Sequence, residues 1–274
     1  MKEKLSIIIP TLNEADNIAA CLESVQWADE VTVVDSFSTD STVQICKNYG
    51  VKVIEHEYVN SAAQKNWILP QVSNRWVLIV DADERVTKPL RDEIAALLET
   101  GPACEGYWIR RRNCFMGREI RHCGWERDKV LRFFDRTRGR YEEKHVHAEV
   151  MLDGKVGFLR ECLLHDSYRD FSAYLTKLDR YSDWGARQTL EKGSNLAVAK
   201  LLLRPPARFL KMYVLRLGFL DGIQGFILCS LASLSVFMKY AKLWKLMHSA
   251  RVSAVERRDG KGGTCSGGSD IEAG

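Results

Sequence analysis

Four short aliphatic and β-branched runs, at residues 5–9, 31–34, 51–54 and 76–80, alternate with segments of helical period in the first hundred residues. That alternation restricts the chain to a mostly parallel sheet covered by helices. The first run leads into Pro10-Thr11-Leu12-Asn13, a turn in which Thr11 and Glu14 have capping-box spacing for a helix with Ile18, Leu22 and Val25 on one face. The second run ends at Asp35 and is followed by a helix over residues 38–49; another helix covers residues 61–69. The fourth run opens directly into Asp81-Ala82-Asp83. Ligands of open α/β sheets bind at the carboxyl ends of the strands, so Pro10, Asp35 and Asp81 are expected to meet in one crevice.

Further along, the periodicity predicts a helix at 88–98 with Pro89 in its first turn, then strands at 106–111 and 130–134 around a segment holding Trp125, Glu126 and Asp128. After His165 the pattern turns helical, at 170–191, 196–203 and 206–247, before a Gly- and Ser-rich end. The expected organisation is a catalytic domain at 1–168, a helical membrane-proximal extension at 169–250 and a disordered tail at 251–274. A chain of 274 residues with 46% hydrophobic and 28% charged content suffices for that arrangement. A net charge of +4 gives no case for nucleic-acid binding, but basic residues gather in the last third, where membrane phosphates are the natural partner. Eight cysteines without a CxxC pair, and no secretory signal ahead of residue 5, predict a reducing cytosol. Cys114, His122 and Cys123 match no familiar zinc spacing.

Carboxylates at a strand end suit Mg²⁺ or Mn²⁺, which bind one or two protein carboxylates together with substrate phosphates. Asp81-Ala82-Asp83, with Glu84 beside it, offers such a set, although a short acidic turn closing a buried strand has the same sequence. In Val33-Val34-Asp35-Ser36-Phe37-Ser38-Thr39-Asp40-Ser41-Thr42, Asp35 can bond a ribose hydroxyl or a base, and Asp40 can cap the following helix.

With Ile7-Ile8-Ile9-Pro10-Thr11-Leu12-Asn13-Glu14, these segments resemble the family 2 glycosyltransferases of the GT-A fold, a Rossmann-like nucleotide-diphospho-sugar transferase architecture. The three elements occur in the family's order, each at a strand end, over residues 4–100. The resemblance implies donor contacts from Pro10, Thr11, Glu14 and Asp35, a place near the ribose for Asp81, and Asp83 as metal ligand. Later segments resemble the small bacterial branch that includes the lipopolysaccharide-core glucosyltransferases: Gly124-Trp125, Leu131-Arg132-Phe133-Phe134, His145-Val146-His147, Leu164-His165-Asp166-Ser167-Tyr168, and Gly218-Phe219-Leu220-Asp221-Gly222 with Gly225-Phe226. Many relatives carry Glu directly after the second His of such a segment, whereas here Ala148 precedes Glu149.

Family 2 enzymes invert the anomeric centre, which implies one carboxylate that deprotonates the acceptor hydroxyl while a metal stabilises the departing diphosphate. Asp128 is the first choice for that base, with Glu126 and Glu149 as alternatives. His147 and His165 are candidate accessory metal ligands or diphosphate donors, and Arg110, Arg111 and Arg112 either contact acceptor phosphates or form an exposed strand edge. The implied partners are a nucleotide-sugar donor, for which the resemblance suggests uridine diphosphate as the family's commonest nucleotide and glucose as the first choice of sugar, and an envelope glycan or glycolipid acceptor. Two other readings are weighed: a nucleotidyltransferase, for which a Gly-rich basic loop after the first strand is missing, and a non-catalytic membrane scaffold, against which Asp35, Asp81 and Asp83 stand.

The uncharged stretch at residues 222–238 extends about 26 Å as a helix, short of a hydrocarbon core of roughly 30 Å. With Arg204, Arg208, Lys211, Arg216, Lys239, Lys242 and Lys245 interleaving Phe209, Tyr213, Leu217, Phe237 and Trp244, residues 205–247 are expected to lie on the anionic inner face of the plasma membrane rather than cross it, the alternative being that these helices pack on the catalytic domain or form a dimer contact.

Overall fold

The computed structural model describes residues 2–142, 149–168, 171–191 and 197–259. It divides into two compact units, Met1–Arg169 and Asp170–Gly274.

The first unit begins with β1 (Leu5–Thr11), α1 (Ala15–Val25), β2 (Glu30–Asp35), α2 (Thr42–Asn48), β3 (Lys52–Glu55), α3 (Ser61–Ile68) and β4 (Trp76–Ile79). β5 (Glu84–Val86), α4 (Lys88–Thr100), β6 (Gly106–Phe115), β7 (Arg118–Glu119), β8 (Lys129–Asp135), β9 (Gly139–Tyr141), β10 (Val150–Leu152) and β11 (Val156–Tyr168) follow. A nine-stranded sheet runs β3-β2-β1-β4-β8-β6-β11-β5, with β7 on β6, while β9 and β10 pair separately. β1 is parallel to both β2 and β4. Its alternate residues feed two cores: Leu5, Ile7 and Ile9 pack with Ile18, Leu22 and Val25 of α1, whereas Ile8 packs with Ile68 and Phe134 on the other face. A strand covered on both faces reads as an unbroken apolar run.

The start of α1 differs from the capping box read in the sequence. Thr11 is still in β1, in register with Asp35, and is too far upstream to cap. The first turn is closed from the second loop instead: Ala15 N–H donates to Asp40 Oδ2 at 3.1 Å and Glu14 N–H to Thr42 Oγ1 at 2.8 Å. α2 starts at Thr42 rather than at residue 38 because Ser38 folds back onto Asp35. β6 and β8 outrun their expected ends, and β5 and β11 were not foreseen.

The second unit contains α5 (Phe171–Glu191), α6 (Ala197–Leu210) and α7 (Gly222–Asp259). α5 and α6 both pack along α7, around Ala186, Tyr240 and Leu243. The break expected between residues 203 and 206 is absent: Pro205 and Pro206 lie inside α6, and Ser233 on α7 donates to the Pro205 carbonyl at 2.8 Å, a tertiary contact at the point where propensity alone breaks the helix. The break falls later, in a wide turn at Lys211–Leu215 and a tight one at Gly218–Asp221. There Leu217 takes a left-handed φ of 54°, and a Cβ on Gly225 would stand 2.0 Å from the Gly218 carbonyl oxygen. The Gly218–Gly222 and Gly225 pattern is therefore the signature of a close backbone approach. α7 continues to Asp259, past residue 251 where the tail was expected to begin. The helical stretch Gly218–His248, 31 residues long, has the length and composition to cross a membrane, with its uncharged part, residues 222–238, lying before Lys239, Lys242 and Lys245.

Candidate active site

Strand register assembles the site. β11 lies between β6 and β5, pairing His165 with Asn113 on one side and with Glu84 on the other. Asp166 N–H donates to the Asp83 carbonyl at 2.9 Å, which brings the His165 ring beside the Asp83 side chain. The two meet with His165 Nε2 3.6 Å from Asp83 Oδ2. On its far edge, His165 Nδ1 lies 2.6 Å from Asn113 Oδ1. The Asn113 amide donates through Nδ2 to Asp128 Oδ2 at 2.9 Å. Asp128 is also gripped by Arg111 through both carboxylate oxygens, at 3.0 and 2.9 Å, and Arg111 reaches Glu84 at 3.3 Å. One polar chain thus links Asp83, His165, Asn113 and Asp128.

A carboxylate can only accept, so Asp128 fixes the Asn113 amide with its nitrogen toward Asp128 and its oxygen toward His165. The Asn113 oxygen then takes the Nδ1 proton, and Nε2 is the ring atom presented to Asp83. Burial disfavours the charged imidazole, but the hydrogen bond to Asp83, its charge and that of Glu84 outweigh burial and raise the His165 pKa.

Asp81 does something different from Asp83. Its oxygens are held by Lys65 at 3.3 Å and Arg132 at 2.5 Å, and its backbone N–H donates to Glu84. Burial opposes its charge, yet Arg132 and Lys65 prevail and keep its carboxyl far below the usual range. Desolvation pulls the Lys65 ammonium down to about 8 and pushes the Tyr141 hydroxyl up to about 12. Arg132 and the Tyr141 hydroxyl are both buried beside Asp81 at this end of the crevice, and Arg132 acts on Tyr141 as well as on Asp81.

Asp35 is buried, and Ser38 donates to it through both its N–H, at 2.7 Å, and its hydroxyl, at 2.5 Å. Thr11 Oγ1 is buried and has no hydrogen-bond partner among the described residues, Pro10 is half-buried beside it, and Glu14 accepts from Asn17 at 2.8 Å. Leu12 and Phe37 stand exposed on the loops after β1 and β2, held by Asn13, which accepts from Thr39 N–H at 2.8 Å. Glu126 is exposed in a short turn near Arg127, and Glu149 is exposed before β10; no hydrogen bond of the Asp128 network reaches either among the described residues. His145 and His147 lie outside the described residues. Arg110 donates to the Arg160 carbonyl and Arg112 pairs with Glu119, so with Arg111 bound to Asp128 the three arginines already have protein partners.

The donor set fits a hard divalent cation. Asp83 and His165 offer a carboxylate oxygen and an imidazole nitrogen that face each other, and a Mg²⁺ or Mn²⁺ bound there takes its remaining ligands from phosphate and water. Among the described residues no group of three or more His, Cys, Asp or Glu forms a closed metal cage.

A parallel half-sheet with carboxylates at its strand ends, extended through antiparallel β8 to β6 and to β11, which runs parallel to β6 and brings a histidine to the crevice, is the GT-A architecture of nucleotide-diphospho-sugar transferases. The family model "Glycosyl transferase family 2" matches residues 6–154, and the chain belongs to that family. It is 30% identical over 251 residues to the lipopolysaccharide core biosynthesis glycosyltransferase LpsC of Rhizobium meliloti (strain 1021), covering 89% of this chain and 93% of that protein. It is 29% identical to an uncharacterized glycosyltransferase of Rickettsia felis, covering 88% of this chain and 89% of that protein. Among solved structures, Staphylococcus aureus TarS 1–349 in complex with UDP matches with a TM-score of 0.36 at 30% identity, over 40% of this chain and 36% of that one. The chain thus spans little more than a third of that solved chain.

Lys65, Arg132, Asn113 and the pairing role of Glu84 escaped the sequence reading, though two left a signal. Lys65 lies on the buried side of α3 with Ala62 and Ile68, and Arg132 interrupts an apolar strand. A charge at a core-facing position requires a partner.

Proposed function

We propose that this chain is an inverting glycosyltransferase that moves a sugar, with glucose from uridine diphosphate as the first choice, to a hydroxyl of an envelope glycan or glycolipid such as lipopolysaccharide core. The observation that carries the reading is the chain of contacts from Asp83 through His165 and Asn113 to Asp128, which holds a metal-type donor pair and a carboxylate in one network. Asp83 and His165 hold Mg²⁺ or Mn²⁺, which when bound supplies the charge that a departing diphosphate needs. Asp35, Thr11, Pro10 and Glu14 line the donor end, Asp81 stands beside the ribose with its orientation set by Lys65 and Arg132, and Asp128 receives the acceptor proton. The similarity to LpsC supports the acceptor class. The enzyme works in the cytoplasm, on the inner face of an anionic membrane.

Donor hydrolysis across a panel of nucleotide sugars with Mg²⁺ or Mn²⁺ tests this. Release of a nucleoside diphosphate from one of them is expected. Pyrophosphate release from a nucleoside triphosphate would point to the nucleotidyltransferase, and no hydrolysis with no thermal stabilisation by any nucleotide to the scaffold.

Asn113 is a positioning residue in this scheme. Asn113→Ala is expected to weaken Mn²⁺ binding by roughly 10–100-fold, the usual cost of losing the partner that orients a ligating histidine. Mn²⁺ titration followed by electron paramagnetic resonance measures it, and unchanged affinity would remove Asn113 from the metal site.

A further inference from the structure

We infer that the bend between α6 and α7 is a wedge that enters the headgroup layer of an anionic bilayer. The inference rests on the membrane-side reading above and names its surface. Large apolar side chains stand in the open at this bend: Leu210 is 56% exposed, Leu215 78%, Phe219 47%, Leu220 52% and Ile223 64%. Scattered exposed leucines are ordinary, but a group of them at one turn marks an interaction surface.

The bend is a built feature. Met212 is buried beneath it, and Phe209, Tyr213, Phe219 and Phe226 form a ring cluster with centroids 5.2–6.2 Å apart. The close approach of Gly225 to Gly218 fixes its curvature. A turn with this much internal order presents its leucines because of its shape, not through lack of packing.

Charge identifies the occupant. Residues 197–220 carry Lys200, Arg204, Arg208, Lys211 and Arg216 and no Asp or Glu, and Asp221 just beyond is buried. Arg204, Arg208 and Lys211 are exposed. An apolar tip with a cationic collar, its acidic Asp221 buried, suits anionic headgroups over acyl chains, with aromatic rings at the boundary. A second copy of this chain would bring an equally cationic collar against the first, which opposes that pairing.

The test is flotation of the full chain on vesicles of phosphatidylglycerol mixed with phosphatidylcholine, against pure phosphatidylcholine. The native chain is expected to float on the first and not the second. Leu215→Glu with Leu220→Glu removes no core volume and is expected to lower partitioning by roughly 10²-fold, since each leucine withdrawn from water contributes about tenfold, while donor hydrolysis is unchanged. Arg208→Glu with Lys211→Glu gives an independent variant, expected to lose the preference for phosphatidylglycerol. Equal flotation of native chain and both variants overturns the wedge, as does a native chain that stays in membranes through alkaline carbonate, which would mean that Gly218–His248 crosses. A native chain that ignores vesicles but self-associates, with Leu215→Glu and Leu220→Glu dissolving the assembly, overturns it in favour of a contact between copies. Donor hydrolysis reports separately on the enzyme, so its loss in the native chain would count against the proposed reaction and not against the bend.

Discussion

Asp83→Ala is expected to lower sugar transfer by roughly 10³-fold or more, because several kcal/mol of charge stabilisation at the leaving diphosphate disappear with the metal. The side chain lies in the turn between β4 and β5 and is 16% exposed, and its removal deletes a polar group rather than core volume, so the fold should persist with a melting temperature close to that of the native chain. Excess chelator should reproduce the loss on the native enzyme. The variant should also reveal its partner: Asp83 is a principal cause of the raised His165 pKa, so the histidine should titrate lower once the carboxylate is gone. A raised folded-state pKa contributes stability that is fully present below the unfolded value, about 6.5 for histidine, and is lost as pH rises through the folded value. Any destabilisation of metal-free Asp83→Ala should therefore show at acidic pH and fade on the alkaline side. Full transfer in this variant, or in excess chelator, would end the metal-dependent mechanism.

The parallel half of the fold was legible because its central strands β1 and β4 are buried on both faces and α1 carries a clear apolar stripe of Ile18, Leu22 and Val25. Pro10, Asp35 and Asp81 could be placed at one edge from strand order alone, and adjacent parallel strands put them there. The rest of the site depends on pairings between residues far apart in sequence. Nothing local in β11 says that it will insert between β6 and β5, yet that insertion sets His165 between Asn113 and Asp83. Asp81 and Asp83 look equivalent in sequence, and only tertiary partners separate them: Lys65 and Arg132 for one, His165 for the other. Thr11 and Glu14 had the spacing of a capping box, but pairing of Thr11 with Asp35 kept it in the strand and left the cap to Asp40.

Asp128→Asn is expected to lower turnover by roughly 10²–10⁴-fold with little change in donor affinity, because a general base acts on the acceptor proton and not on the nucleotide. Geometry makes Asp128 the better choice over its neighbours: it lies in the polar network with Asp83, and its side chain is still 28% exposed. Glu126 is exposed in its turn, and Glu149 sits beside the segment with the displaced alanine, so Glu126→Gln and Glu149→Gln should leave turnover within a few-fold of native. The substitution also disturbs structure, since Arg111 loses a bidentate partner and Asn113 the acceptor that orients its amide. Two measurements separate these effects. A base removed for its chemistry lowers turnover at unchanged Mn²⁺ affinity and unchanged donor affinity. An orienting carboxylate removed for its geometry weakens Mn²⁺ binding as Asn113→Ala does, because the His165 ring is then free to present either nitrogen. If Asp128→Asn shows only the second pattern, or if Glu149→Gln shows the first, the base lies elsewhere and Asp128 serves to hold Arg111 and Asn113 in place.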